Sequence, residues 1–509
     1  MPSVETSGYG TSIGLVYVFN LIIGTGALAL PKGFRDAGVV LGSVVLGISC
    51  FISYMGAGFV IESMASANAV LLHRKALRRN AKPADEEGQS SKVEQDEDST
   101  ESSEDEPLLP PLVEVGNFEI RKRVELSEMA SIFLGRPGLL FFQLCLMVYL
   151  FGDLSIYATA VPKSVMSVIC TYVGPNHSCG ANATLRLQSP CFYRAPLFLT
   201  RFTIYRFTVI AFALIVAPFV YAGVTKTKYL QIFTTVSRWL AFLLMIVLAV
   251  KALLAGKGTG NPPAVQLSGF ARLFGITVYS FMCHHSLPSL VTPMKDKSRV
   301  HSWFFVVFLL IFGFYAALAS SGSFAFAHLR DIYTLNFLPS CVGKGGRGWF
   351  LTVIDYFLAL FPVFTLSTNF PIVGITLRNN LRALVANLWN GGEEEEEGTR
   401  CRRLTLQFLI PLLVILPPVA IALSTDNVEL LTSVTGSYAG VGVQYVLPAL
   451  LLLSSRYKVR YWLEREVPSE VASPFMRIFS YPAHLFWPIF LLAWALFTVV
   501  IVSINFALA

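Results

Sequence analysis

Asn20, Gly24, Thr25, Gly26 and Pro31 share one short stretch, NLIIGTGALALP, in a run with no Lys, Arg, Asp or Glu between Glu5 and Lys32. Two glycines around one threonine give up about 1 kcal/mol each of helix propensity relative to alanine. A helix that opens there frees backbone N–H and C=O groups, which in an apolar surrounding need partners. Unbonded amides at the start of a half-helix suit an anion such as a carboxylate. The plainer reading is that the glycines admit a neighbouring helix and that Asn20 makes an interhelical hydrogen bond. A second stretch, YSFMCHHSLPSL from Tyr279 to Leu290, also sets polar residues and a proline, Pro288, inside an apolar segment. Proline removes a donor and disrupts the helix, while His284 and His285 titrate near neutral pH. Asp153, flanked at helical spacing by Tyr149 and Tyr157, is a third candidate. An unpaired charge deep in a span costs ~2.5–3.5 kcal/mol on insertion scales, so Asp153 needs a partner or a proton.

These residues need a bilayer-spanning frame. With 54% hydrophobic, 13% aromatic and 14% charged residues among 509, the chain has too few charges to clothe a soluble protein of its size. Uncharged runs of about 20 residues fit a hydrocarbon core of roughly 30 Å. The reading is an all-α polytopic membrane protein with eleven transmembrane helices. They fall roughly at 11–32, 39–63, 137–162, 203–223, 230–253, 271–292, 303–327, 349–374, 404–424, 430–453 and 480–506. The first span starts too far in, and lacks the preceding basic stretch, to read as a cleaved signal peptide. Residues 1–10 are then a cytosolic N-terminus, 11–253 a first set of five helices, 271–453 a second, and 480–506 an eleventh helix. Spans one and six occupy corresponding places in two such repeats, and a pair of interrupted segments in corresponding places points to an inverted-repeat transporter with its site at the midplane.

Orientation follows from basic residues. With the N-terminus cytosolic, that side's connections carry 25 Lys and Arg against 13 opposite, Arg238 inside the fifth span belonging to neither set. The excess agrees with the positive-inside rule and puts the C-terminus outside or in a lumen. Glu62, Arg238 and Asp355 read as interfacial or structural charges. The non-cytosolic loop 163–202 carries glycosylation sequons at Asn176 and Asn182. It also carries Cys179 and Cys191, expected to bridge in an oxidising compartment, with Cys170 and Cys341 as rival partners. Residues 80–111 lack the apolar side chains to offset ordering entropy and read as a disordered acidic cytosolic linker. Within it EDEPLL, with Glu104 ahead of Leu108 and Leu109, has the pattern of an acidic dileucine signal. A sorting adaptor reading it would direct the protein to endosomal or lysosomal membranes; the plasma membrane is the other location considered.

Other classes are disfavoured. No H-E-x-x-H, Gly-x-Ser-x-Gly or phosphate-cradling loop occurs, and no cysteine spacing suits zinc, so no enzymatic activity is expected. Lipid is the expected surrounding and no nucleic-acid partner is indicated. GSYAGVG, with Gly436 and Gly440 as a small-xxx-small pair, suits close helix packing within the bundle or between protomers.

The pattern N-x-x-x-G-T-G-x-L-x-x-P in the first span, C-H-x-x-x-P in the sixth, eleven spans and a cytosolic N-terminus together resemble the amino acid/auxin permease family. Five stretches carry the resemblance: GLVYVFNLIIGTGALALPK, YLFGDLSIYATAVP, KTKYLQI, YSFMCHHSLPSL and FPVFTLSTNFPIVGITLRNN. It runs from about residue 13 to 452 and, more loosely, through the last span. The resemblance implies a LeuT-like 5+5 inverted repeat plus one extra helix, carrying small amino acids by alternating access with sodium or protons. It places the substrate carboxylate at Gly24, Thr25 and Gly26, and the ammonium at carbonyls near Phe281, Met282 and Cys283. Sodium would be matched by Asn20 and by hydroxyls of the eighth span, Thr365 fitting best with Ser367 and Thr368 as neighbours. Asp153, His284 and His285 compete as proton carriers, and no cofactor beyond a coupling ion is implied. The alternative is a non-transporting amino-acid sensor that uses the same pocket and signals through residues 64–136.

Overall fold

The computed structural model describes residues 10–80, 118–170, 188–192, 199–222, 228–338, 348–389, 400–468, 470–476 and 485–508. Among them the chain is helical, its one extended pairing being an isolated antiparallel bridge between Pro190 and Thr200. Glu104, Leu108, Leu109, Asn176, Cys179, Asn182 and Cys341 lie outside the described residues, as do residues 1–9 and all of the expected linker except Asn80.

The helices are α1 (Thr11–Ile22), α2 (Gly26–Ala37), α3 (Val39–Asn80), α4 (Leu126–Ile169), α5 (Arg201–Ala222), α6 (Lys228–Leu254) and α7 (Phe270–Ser280). After them come α8 (Leu287–Val291), α9 (Val300–Ala325), α10 (Trp349–Trp389), α11 (Arg400–Ser424), α12 (Val428–Thr435), α13 (Leu447–Leu463) and α14 (Phe486–Leu508). Among the described residues eight helices are long and apolar enough to cross a membrane, or nine when α1 and α2, bent by 53° across their break, are taken as one span. The expected spans 271–292 and 404–424 hold shorter pieces: α7 with the five-residue α8, and α11, whose apolar part is Phe408–Ser424.

Several helices outrun the bilayer. The 42 residues of α3 reach about 63 Å at 1.5 Å per residue, twice the hydrocarbon thickness. The expected span 39–63 is therefore only the first part of it, and Glu62 lies mid-helix, fully buried. The frame's centre is α7, buried from Leu273 to Ser280 and packed against α2, α3 and α12. Two π-helical segments, Gly436–Gly440 and Gly442–Val446, join α12 to α13. A Cβ on Gly436 would collide with the carbonyl of Gly275 in α7, and one on Gly440 would stand 3.3 Å from Val278. The small-residue pair thus faces α7 of its own chain.

The cysteine pairing differs from expectation. Cys191 is bonded to Cys170, not to Cys179. Cys170 caps the end of α4, while the Pro190–Thr200 bridge and the bond from Arg201 N to Ser189 O hold Cys191 at the foot of α5. The two Cα atoms stand 4.5 Å apart, within bridging range. Helix ends, not spacing along the loop, select the partner.

Candidate functional site

The first break spans Ile23 to Thr25, and no residue in it or at its edges takes a positive φ. Among the described residues the backbone N–H groups of Gly24, Thr25 and Gly26 donate to no acceptor. Only Gly26 belongs to α2, whose dipole leaves that end positive; the next two amides, of Ala27 and Leu28, donate to the carbonyls of Gly24 and Thr25. The two glycines do different things. A Cβ on Gly24 would meet nothing nearer than the Ile22 carbonyl at 3.9 Å, whereas one on Gly26 would lie 2.8 Å from Ser280 Cα and collide with its hydroxyl. Gly26 is a close-approach residue between the two broken helices, so packing accounts for it without any ligand.

The second break runs from Phe281 to the turn at His284–Ser286 before α8. The carbonyls of Phe281 and Met282 accept no hydrogen bond among the described residues, while that of Cys283 accepts Ser286 N. Phe281 and Cys283 are fully buried and Met282 nearly so. The breaks are tied together by Tyr315 of α9, whose hydroxyl contacts Ile22 O at 2.9 Å and Ser280 O at 3.0 Å. These are the last carbonyls of α1 and α7, and a phenol supplies the partner that helix would otherwise have given. The Phe281 ring stacks on Phe308 and meets Tyr315 edge-on.

A polar chain leads from the first break into α4. Thr25 Oγ1 lies 2.9 Å from Tyr279 Oη, Tyr279 donates to Asp153 Oδ1, and Tyr157 approaches Asp153 Oδ2 at 3.5 Å. Asp153 is buried, and its side-chain partners among the described residues are these two phenols, which donate to it. The histidines do not join this chain. His284 turns its Nε2 to Ser53 O of α3 at 3.0 Å, and His285 packs against the Tyr149 ring.

The candidate cation ligands lie on two helices, Asn20 on α1 and Thr365, Ser367 and Thr368 on α10. Asn20 Nδ2 donates to Thr235 of α6 at 3.0 Å, and its main-chain carbonyl accepts Arg238 Nη1 at 2.6 Å. Thr365 and Thr368 turn onto carbonyls of their own helix, those of Phe361 and Thr365, with Ser367 half-buried beside them. Tyr315 and Arg238 carry interactions that motif spacing does not assign. Arg238 had a signal, a charge inside a span; Tyr315 is one aromatic among many.

Both ends of the bundle are tied by charges. Lys32, midway along α2, pairs with the fully buried Glu429 of α12 at 2.7 Å. Lys163 of α4 holds Asp331 at 2.8 Å and Asp426 at 3.0 Å, and Asp331 also accepts Val428 N. Burial alone would raise the Asp331 pKa, but the Lys163 ammonium and hydrogen bond, the Lys32 charge and the Val428 amide hold it below the usual carboxylate value. Glu62 lies 23 residues beyond the start of α3, about 35 Å along the helix. There it accepts Arg456 Nε of α13 at 2.6 Å and Ser473 N at 2.7 Å.

Residues 117–492 match the family described as transmembrane amino acid transporter protein. That segment starts after the first break, but full-length relatives span both breaks. Transmembrane protein 104 of Homo sapiens is 41% identical over 509 residues, covering 98% of this chain and 97% of that protein. The Caenorhabditis elegans homolog is 40% identical over 524 residues, with coverage of 98% and 97%. The Dictyostelium discoideum homolog is 34% identical over 508 residues, covering 94% of each.

Proposed function

We propose a function from one premise: the chain belongs to the transmembrane amino acid transporter protein family. It is a secondary active transporter of small amino acids, working by alternating access and coupled to a sodium or proton gradient. Counting α1 with α2 and α7 with α8 as one span each, and α11 as another, it has eleven spans. Ten form two inverted repeats of five in a LeuT-like arrangement and α14 is the extra helix. The N-terminus is cytosolic, and the Cys170–Cys191 bond and the Asn176 and Asn182 sequons face a lumen or the exterior. Endosomal or lysosomal membranes are its place if the Glu104, Leu108 and Leu109 signal is read by an adaptor.

The observation that carries this reading is the union of two interrupted helices through one residue, Tyr315, at Ile22 O and Ser280 O. Beside that junction the free amides of Gly24 to Gly26 suit a carboxylate, and the free carbonyls of Phe281 and Met282 suit an ammonium. An α-amino acid carries both groups two bonds apart. Thr25 adds a hydroxyl, and Asp153 is the proton carrier favoured over the histidines because its phenol chain reaches the break. Purified protein in liposomes, tested with pooled amino acids under sodium and then pH gradients, decides the matter. Gradient-driven accumulation supports the transporter; saturable binding without accumulation indicates the sensor.

A further inference from the structure

Asp153, Tyr279 and Thr25 form a hydrogen-bonded row from α4 to the first break, and the protons in it fix its direction. A hydroxyl has one proton to donate, whereas an ionised carboxylate only accepts. With Asp153 ionised, Tyr279 gives its proton to Asp153 Oδ1, so in the 2.9 Å contact with Tyr279 the donor is Thr25. Its single proton committed, Thr25 Oγ1 offers an anion at the break only lone pairs. Protonation of Asp153 turns the row round. The acid proton donates to Tyr279 Oη, since the Tyr157 hydroxyl at 3.5 Å stands outside the usual O–H···O range. Tyr279 then donates to Thr25 Oγ1, and the Thr25 proton is freed for the break. Each hydroxyl keeps its proton and only rotates; the one proton added comes from water and stays on Asp153.

Few other titrating groups touch this row. Tyr149 and Tyr157 of α4 and Tyr279 of α7 are the ionisable groups that face Asp153; Cys283 acts on Tyr149, and Arg238 of α6 on Tyr157. The helices α10, α11 and α12 also pack on α4, and among the described residues none of their charged groups acts on Asp153. His284 is turned to Ser53 of α3 and His285 to the Tyr149 ring, so neither is a member of the row. We propose that the row is the coupling device: a proton on Asp153 converts Thr25 from acceptor to donor and so tightens binding of an amino-acid carboxylate, which rests on the reading of the first break as a carboxylate site. Tyr279 is the positioning residue that passes the reversal on. By reciprocity the bound amino acid favours the proton on Asp153 by the same factor, and the two load together.

The test is equilibrium binding to the purified full-length chain, with an equimolar mixture of glycine, alanine, serine and proline as the probe. A ligand that binds the folded state raises its melting temperature, which gives the half-saturating concentration. As pH falls from about 8 to about 5, the parent is expected to half-saturate at about tenfold lower concentration. In weakly buffered solution it should take up protons as it binds. Tyr279→Phe keeps the ring and cuts the row, so it should still bind, with the ratio between the two pH values reduced to about one. Thr25→Ser should keep the parent's ratio and Thr25→Val should lose it, and this pair decides if Tyr279→Phe does not fold. Equal binding by the parent at both pH values overturns the relay and leaves the carboxylate site standing. A pH ratio that survives in Tyr279→Phe or Thr25→Val overturns it too, and moves the titration to another group such as the histidines. Failure to bind at every pH removes the carboxylate site and the relay with it. Proton-coupled binding without gradient-driven uptake in liposomes upholds the relay and defeats the transporter reading in favour of the sensor.

Discussion

At the scale of single residues, Gly24 and Gly26 separate two effects that composition alone conflates. Gly26 touches Ser280 so closely that any Cβ displaces backbone. Gly26→Ala should lower stability by about 1–3 kcal/mol, as overpacking does, and lost transport in that variant says nothing about ligand binding. Gly24 is the informative position, because its missing Cβ faces open space and its φ is ordinary. Gly24→Ala adds about 1 kcal/mol of helix propensity and favours a continuous helix through the break. Melting should hold or rise slightly while amino-acid uptake falls; retained uptake would return the break to a packing role. Asp153 makes a parallel case. It is buried with two phenols as hydrogen-bond partners, so Asp153→Asn keeps the shape and removes the titratable group. Uptake by that variant should lose its dependence on a pH gradient while equilibrium exchange of amino acid across the liposome wall persists.

At the scale of elements, the ends of helices decide what loops do. Cys170 ends α4, and Cys191 is placed by the short bridge before α5. Their bond closes a separation of 21 residues, for which chain-entropy reasoning gives about 3 kcal/mol of stabilisation. Non-reducing peptide mapping should recover the 170–191 pair. Cys170→Ser should lower the melting temperature and Cys179→Ser should not. The rim at Asp331 has a pH signature with a definite sign. Its folded pKa lies below the unfolded value of about 3.9 because Lys163, Lys32 and the Val428 amide outweigh burial. Its contribution is thus complete above that unfolded value and is lost as pH falls through the folded one. The parent should lose stability in that acid window more steeply than Asp331→Asn, read as melting temperature against pH. These elements also mark what can be read from the chain directly. Gly24-Thr25-Gly26 and Pro288 announce the two breaks because they violate helix propensity in otherwise apolar runs. The close contact of Gly26 with Ser280, the phenol bridge of Tyr315 and the choice of Cys170 depend on separations of 254, 293 and 21 positions, and no local pattern encodes such meetings. Arg238 is legible as an anomaly but not in its role, since its partner, the Asn20 carbonyl, is a backbone atom that every residue type carries.

At the scale of the whole molecule, the charges lie in two tied sets on either side of the breaks. Lys32–Glu429 and Lys163–Asp331 join α2, α4 and α12 at one rim, and Arg456–Glu62 joins α13 to α3 about 35 Å along α3. Cys283 lies between the rims, fully buried in the second break. If access alternates, each rim opens in turn and Cys283 becomes reachable from one side at a time. Removing one partner of a buried pair costs about 3–5 kcal/mol, and even 1.4 kcal/mol of bias shifts a two-state population tenfold. Glu62→Gln should therefore raise alkylation of Cys283 by roughly tenfold or more when an impermeant maleimide is added on the Glu62 side, and leave it unchanged from the other. Glu429→Gln should do the reverse. Site-resolved mass spectrometry on protein oriented in liposomes reads both rates. Equal labelling from both sides in either variant would mean that the rims do not act as separate gates, because a bundle that merely loosens admits the reagent without regard to which ion pair was cut.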